Sequence, residues 1–208
     1  ISRTRLLLSH AVVAVGGLAF LTLSLWAGMA VGIARTTVTE RVPAPSFRLP
    51  FTALEIPLTT SGPAKETFPM SSVVDPWVFG TGVFSLFALG FFILGMSTFF
   101  SSLDRYRWRT VGAVMTVYVL QLVIFGLSKA ADRLHWMRGW SFFNCYRPQK
   151  QIAEIASGGM SAPWRLTGPD AESWFGPGVY PMILIGGGII FYLLAIAIFR
   201  RRDLPAPL

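Results

Sequence analysis

Four stretches of the chain run without Asp, Glu, Lys or Arg: Leu6 to Ala34, Pro76 to Leu103, Thr110 to Ser128 and Phe175 to Phe199. A helix rises ~1.5 Å per residue and needs about 20 mainly apolar residues to cross a bilayer. Each stretch is long enough, so the pattern predicts membrane-spanning helices over about 6–34, 76–103, 108–128 and 177–199. The first stretch follows Arg3 and Arg5 and carries AGMA near its end, as a secretory signal does. A signal's apolar core covers only ~7–15 residues, so this stretch reads as a span.

The two long connections differ from the spans and from each other. Residues 35–75 include TERVPAPSFRLPFTALEIPLTTSGPAKETFP, rich in proline and β-branched residues and without helical periodicity. An extended or turn-rich segment folded against neighbouring loops is expected there. Residues 129–176 include KAADRLHWMRGWSFFNCYRPQKQIAEIA, where Leu134, Trp136, Met137, Trp140 and Phe143 alternate with charge. Trp and Tyr favour the bilayer interface, and a helix with one apolar face can lie in it. Two short helices broken near Tyr146 to Pro148 are expected, neither of which need span. The fold class is thus an all-α membrane protein: one transmembrane domain over 1–208, with four spanning helices and an outer re-entrant or interfacial helical segment before the last.

Composition agrees with lipid as the solvent. The 208 residues are 53% hydrophobic and only 13% charged, about half the charge share of a soluble domain. The formal charge of +8 could indicate nucleic acid, but the arginines bracket apolar runs instead of gathering on one face with stacking aromatics. No nucleic-acid partner is expected. The segments before the first span, between the second and third, and after the fourth hold eight of 18 basic residues against Asp104 and Asp203, a net of +6. The loop 35–75 nets zero and 129–174 nets +2. Short basic segments stay cytoplasmic, so a plasma (inner) membrane protein with both ends of this chain inside and both long loops outside is expected.

Inside the spans, the charges that ion-coupled carriers use to hold or relay their ion are missing at depth. The polar residues there are Ser, Thr, Tyr118, Gln121 and His10, able to bond between helices but not to build a carboxylate relay. Glycine recurs, and Gly28 with Gly32 forms a small-xxx-small pair suited to close helix approach, within the chain or across a dimer seam. Cys145 is the only cysteine, so no intrachain disulfide or Cys-based metal site can be completed; it reads as packing, not as a nucleophile. His10 and His135 lie toward opposite surfaces, about 30 Å apart, and cannot share one haem. At His10 two readings stay open, a single-histidine pigment ligand and a small polar residue near the interface. No Walker lysine motif, HExxH or GxSxG occurs. No catalytic, cofactor-binding or metal residue is assigned, no cofactor is expected, and the chain is not read as an enzyme.

Four quoted segments carry a family resemblance. ISRTRLLLSHAVVAVGGLAF looks like the start of the third helix of a six-helix ABC exporter permease, and LFALGFFILGMSTFFSSLDRYRWRTVG resembles the fourth helix, basic cytoplasmic turn and fifth helix. LHWMRGWSFFNCYRPQK is similar to the outer segment before the last helix, and FRRRDLPAPL to the usual ending. The resemblance covers most of the chain, and it implies a separate ATP-binding-cassette ATPase subunit, a second permease copy or pseudo-dimer partner, and contact with membrane lipids. The chain departs from the family in holding only the last four spans. With Ile rather than Met first, this suggests that Ile1 lies inside a longer natural chain or that an N-terminal part has been trimmed. The coupling helix that meets the ATPase lies before the family's third helix, so no ATPase-contact residue carries over.

Two functions from different classes follow. The first is the membrane-spanning half of an ATP-driven exporter, forming the path or gate while a partner hydrolyses ATP. The second is a non-transporting structural or accessory subunit of a larger membrane complex, and a pigment or haem protein relying on His10 ranks behind both. Without buried charge to pair with a charged cargo, a lipid-like or amphipathic substrate is favoured.

Overall fold

The structure is a computed structural model that describes residues 3–42, 46–48, 55–57, 64–103, 106–165 and 175–201. The tail beyond Arg201, and with it most of the FRRRDLPAPL ending, lies outside the described residues. Five α-helices are present among them: α1 (Arg3–Arg35), α2 (Pro76–Leu103), α3 (Arg107–Ala130), α4 (Pro148–Gly158) and α5 (Val179–Arg201). All but α4 contain stretches long and apolar enough to cross a membrane. The fold is therefore that of an all-α, multi-pass membrane protein, with helix ends that overrun the apolar runs by a few residues into the flanking charges. Two compact units are defined, Ala27–Pro76 and the remainder.

The smaller unit contains the end of α1 and four strands, β1 (Thr37–Val42), β2 (Ser46–Arg48), β3 (Glu55–Pro57) and β4 (Ala64–Pro69). Strands β1 and β4 pair antiparallel from Thr37↔Pro69 to Val42↔Ala64, and β2 pairs with β3 from Ser46↔Pro57 to Arg48↔Glu55. The expected extended segment thus takes the form of two short ladders. Proline at strand ends is tolerated because those positions need not donate to the ladder.

In the larger unit α2 is the central helix and carries buried Ser85, Ala88, Gly95, Met96 and Ser102. Lipid offers no hydrophobic drive for helix association, so close backbone approach and ring packing must supply it. A Cβ on Gly95 would lie 2.6 Å from the Gly188 carbonyl oxygen, which marks where α2 and α5 touch backbone to backbone. Around that crossing Phe92 and Phe99 pack on Phe191 at 5.4 and 5.5 Å, and Phe91 on Tyr192 at 5.5 Å. Against α1, Leu18 seats on Gly90, and Trp26 meets Trp77 at 5.0 Å. At Gly28 and Gly32 an added Cβ would meet nothing within 4 Å among the described residues.

The hydroxyls in the spans mostly bond within their own helices. Thr22, Ser24, Thr98, Ser102 and Ser128 each donate to a carbonyl three or four residues earlier. This satisfies them locally at modest cost to helix geometry. Ser85 and Gln121 behave differently, and both point to the segment between α3 and α5.

Candidate functional site

After α3 the chain turns back along it as a 3-10 helix, Asp132–Trp140, followed by a second, Phe142–Cys145, and then by α4. The break falls at Tyr146 and Arg147, with Pro148 at the first turn of α4, where its missing N–H costs nothing. The part before the break is 3-10 instead of α-helical. In a 3-10 helix positions i and i+3 eclipse, so Ala131, Leu134 and Met137 make one narrow, half-buried stripe on the element that packs against α3.

The tip of this segment reaches deep among the helices. Phe142 packs on Phe92 at 5.2 Å, and Phe143 on Tyr118 at 5.3 Å. Phe92 lies past the midpoint of α2, some ~24 Å from its Pro76 end at 1.5 Å per residue, and Tyr118 sits near the midpoint of α3. Gln121 anchors the tip: its side-chain oxygen accepts from the Phe142 N–H at 3.2 Å, and its carbonyl from Ser141 Oγ at 3.1 Å. These bonds satisfy backbone groups that would otherwise face an apolar interior. The helical segment before the last span is therefore re-entrant.

A second lock holds α4. Ser85 Oγ donates to Gln151 Oε1 at 2.6 Å, and Gln151 Nε2 donates to the Pro177 carbonyl at 2.5 Å. Gln151 is 1% exposed and so ties α2, α4 and the start of α5 through one buried amide. Nearby, Gly178 N–H donates to the Pro163 carbonyl at 2.7 Å and Gly176 N–H to the Arg165 carbonyl at 3.0 Å. Cβ atoms at those two glycines would sit 2.7 and 2.5 Å from the same oxygens, so only glycine permits the contact.

Just beyond the tip, Asn144 gathers two guanidinium groups. Arg138 Nε donates to Asn144 Oδ1 at 3.0 Å, Arg147 Nη2 donates to the same oxygen, and Arg147 Nε donates to the Asn144 carbonyl at 2.8 Å. Cations of order 5 Å apart repel by about 3 kcal/mol at an effective dielectric of ~20, so the amide holds together what charge pushes apart. Arg147 also lies 4.8 Å over the Tyr180 ring and Lys129 4.5 Å over Phe125. Burial pushes the Cys145 thiol above its ordinary range, and the Arg147 charge opposes that rise.

Two further clefts lie between α1 and α2. One of about 520 Å³ is almost wholly apolar and is framed by Thr22, Trp26, Trp77 and Phe87. The other, of about 620 Å³, is lined by His10, Ser97, Thr98, Ser102 and Phe199. His10 thus sits by the last turns of α2 and α5, while His135 follows α3 on the segment that adjoins the start of α5. The two histidines stand at opposite ends of the bundle. Among the described residues no group of three or more His, Cys, Asp or Glu is placed to hold a metal ion.

Tyr118, Gln121, Phe143 and Cys145 stand out in the sequence by type and setting, whereas Ser85, Asn144 and Gln151 do not. The available signal for Gln151 was a lone amide on the apolar stripe of α4 that it shares with Ile152 and Ile155. No family model, no curated protein and no solved structure matches this chain.

Proposed function

We propose that this chain is the membrane-spanning permease subunit of an ATP-driven exporter of the ABC type. It would form the path or gate in the plasma membrane with both ends cytoplasmic, while a separate ATP-binding-cassette subunit hydrolyses nucleotide. The observation that carries this reading is the re-entrant segment, seated to mid-depth of α2 and α3 and locked by Gln121 and Gln151. A plug of that depth serves a gate, since moving it would open a route between the helices. The absence of charged side chains from the middle of the spans supports an energy source outside the bilayer, and the four family-like segments agree.

The outer faces of α1 and α3 are largely exposed and apolar, with Val13, Phe20, Val111 and Met115 among the most open side chains. Such faces suit lipid, a second permease copy, or further helices of a larger assembly. In the exporter reading, ATP-driven closure of the partner subunits rocks two permease halves, and the segment 132–158 caps the outer side. The almost wholly apolar cleft at Trp26 and Trp77 favours a lipid-like or amphipathic cargo.

The same exposed faces also favour the second reading, a structural subunit held laterally in a larger complex. Purification of the intact complex and flux measurement in vesicles separates the two. Copurification of an ATP-binding-cassette subunit, with flux abolished by substitution of its Walker lysine, is the expected result. A complex without any nucleotide-binding subunit, and flux indifferent to ATP, would overturn the exporter reading.

A further inference from the structure

We propose that the cleft between the end of α3, the first 3-10 helix and the start of α4 binds the phosphate of a membrane lipid headgroup. Lys129, Arg138, Arg147 and Lys150 all contribute to its wall, with Asn144 and Phe125 between them, around a cavity of about 130 Å³. That is the space of about four waters at ~30 Å³ each, which suits one phosphate group. No Asp or Glu occurs among the described residues that line it. The first turn of α4 supplies Gln149 and Lys150 to the wall, so the positive end of that helix adds to the field.

The arrangement is built from opposed parts. Asn144 Oδ1 draws Arg138 and Arg147 onto one oxygen, and planar guanidinium forks match phosphate oxygens. An anion in the cleft would face four cationic side chains that the fold has brought to one wall. The role of the lysines differs from that of the arginines, since they stand at the rim as point charges.

Position decides for a lipid over a soluble phosphate. Lys129 closes the last turn of a spanning helix, and its ammonium lies on Phe125 of the same helix. Leu122, Val123 and Leu127 on that helix are exposed, as is Trp136 midway along the neighbouring 3-10 helix, well short of its deep tip. An exposed tryptophan at that place marks the headgroup level. A lipid with its phosphate in the cleft would lay its chains along the open apolar flank of α3. The inference concerns binding alone and does not depend on what the protein transports.

The test uses the full chain in detergent micelles and native mass spectrometry. The probes are phosphatidylglycerol, diacylglycerol with the same acyl chains, and inorganic phosphate. The wild type is expected to retain phosphatidylglycerol at least about tenfold better than diacylglycerol. The double variant Lys129→Gln/Lys150→Gln should lose most of that preference, and Arg109→Gln at the other end of α3 should keep it. The pair Arg138→Gln/Arg147→Gln should lose it as well; if that pair fails to fold, the lysine pair decides, because it leaves the Asn144 bonds intact. Equal retention of the two lipids, or a lysine variant that behaves as wild type, would overturn the site. Binding of inorganic phosphate with no preference between the lipids would overturn the lipid as its source.

Discussion

At the scale of single residues, one buried amide carries more structure than any charge. Gln151 both accepts from Ser85 and donates to the Pro177 carbonyl, so Gln151→Ala orphans an acceptor and leaves a cavity. The expected cost is about 2–3 kcal/mol, a fall of roughly 4–12 °C in Tm for a chain of this size, read by thermal denaturation in detergent. Ser85→Ala should cost less, because it removes only a hydroxyl and leaves the bond from Gln151 to the Pro177 carbonyl in place, and the double variant should be less damaging than the sum. Cys145 gives a second prediction. Its thiol is raised by burial and only partly lowered by Arg147, so it stays protonated through neutral pH and maleimide labelling should be slow until the solution is more alkaline than an ordinary thiol requires. Arg147→Gln removes the opposing charge and should slow labelling further. Because the folded state holds this proton more tightly than the unfolded one, its stabilisation is full below the ordinary thiol range and is lost as pH rises through the raised value. Labelling at neutral pH as fast as a free thiol would refute this. The polar residues inside the spans were legible by type but not by task. Thr22 and Gln121 look alike in a hydropathy pattern, yet one bonds its own helix and the other pins a loop that the sequence alone does not bring near.

Helices and their contacts tell a different story about glycine. The pair Gly28 and Gly32 has the spacing of a packing seam, but among the described residues an added Cβ on either meets nothing within 4 Å; a close contact is made by Gly95 on Gly188, from two helices far apart in sequence. A spacing rule sees one helix at a time, whereas a crossing point depends on where two helices meet. Gly95→Ala would press a methyl against the Gly188 backbone, which cannot swing aside as a side chain can, and should cost about 1–3 kcal/mol. Gly28→Ala should leave thermal stability in detergent unchanged or slightly raised, as helix propensity alone dictates. Equal losses at both positions would show that the α2 and α5 contact is not the tight one. The spans themselves were legible because an uncharged run that long has no other solvent than lipid. The re-entrant break at Tyr146 to Pro148 was legible because proline and an amphipathic pattern sit together. The strand pairs between α1 and α2 were not, since proline-rich segments without periodicity specify an extended backbone but not its partner.

For the whole molecule, orientation is the property on which the functional proposal turns. In the proposed reading the ATPase subunit works in the cytoplasm, so the face it meets is the one where α2 ends and α3 begins. Arg105, Arg107 and Arg109 fall in the sequence between the two apolar runs, and each basic residue near an anionic leaflet contributes about 1 kcal/mol toward staying on that side. The loop 129–174 also carries six basic residues, but four acidic ones offset most of them, leaving a net of +2. The difference favours that face inside and the loop outside. Single cysteines in a Cys145→Ser background test this directly, one at the exposed Tyr106 just before α3 and one at the exposed Ser157 near the end of α4. A membrane-impermeant maleimide added to intact cells should label the Ser157→Cys protein, and should label the Tyr106→Cys protein only after permeabilisation. The reverse pattern would place the re-entrant plug on the side where the ATPase must dock. The gate would then have no outer cap, and the exporter mechanism would lose its geometry even with the same four helices in place.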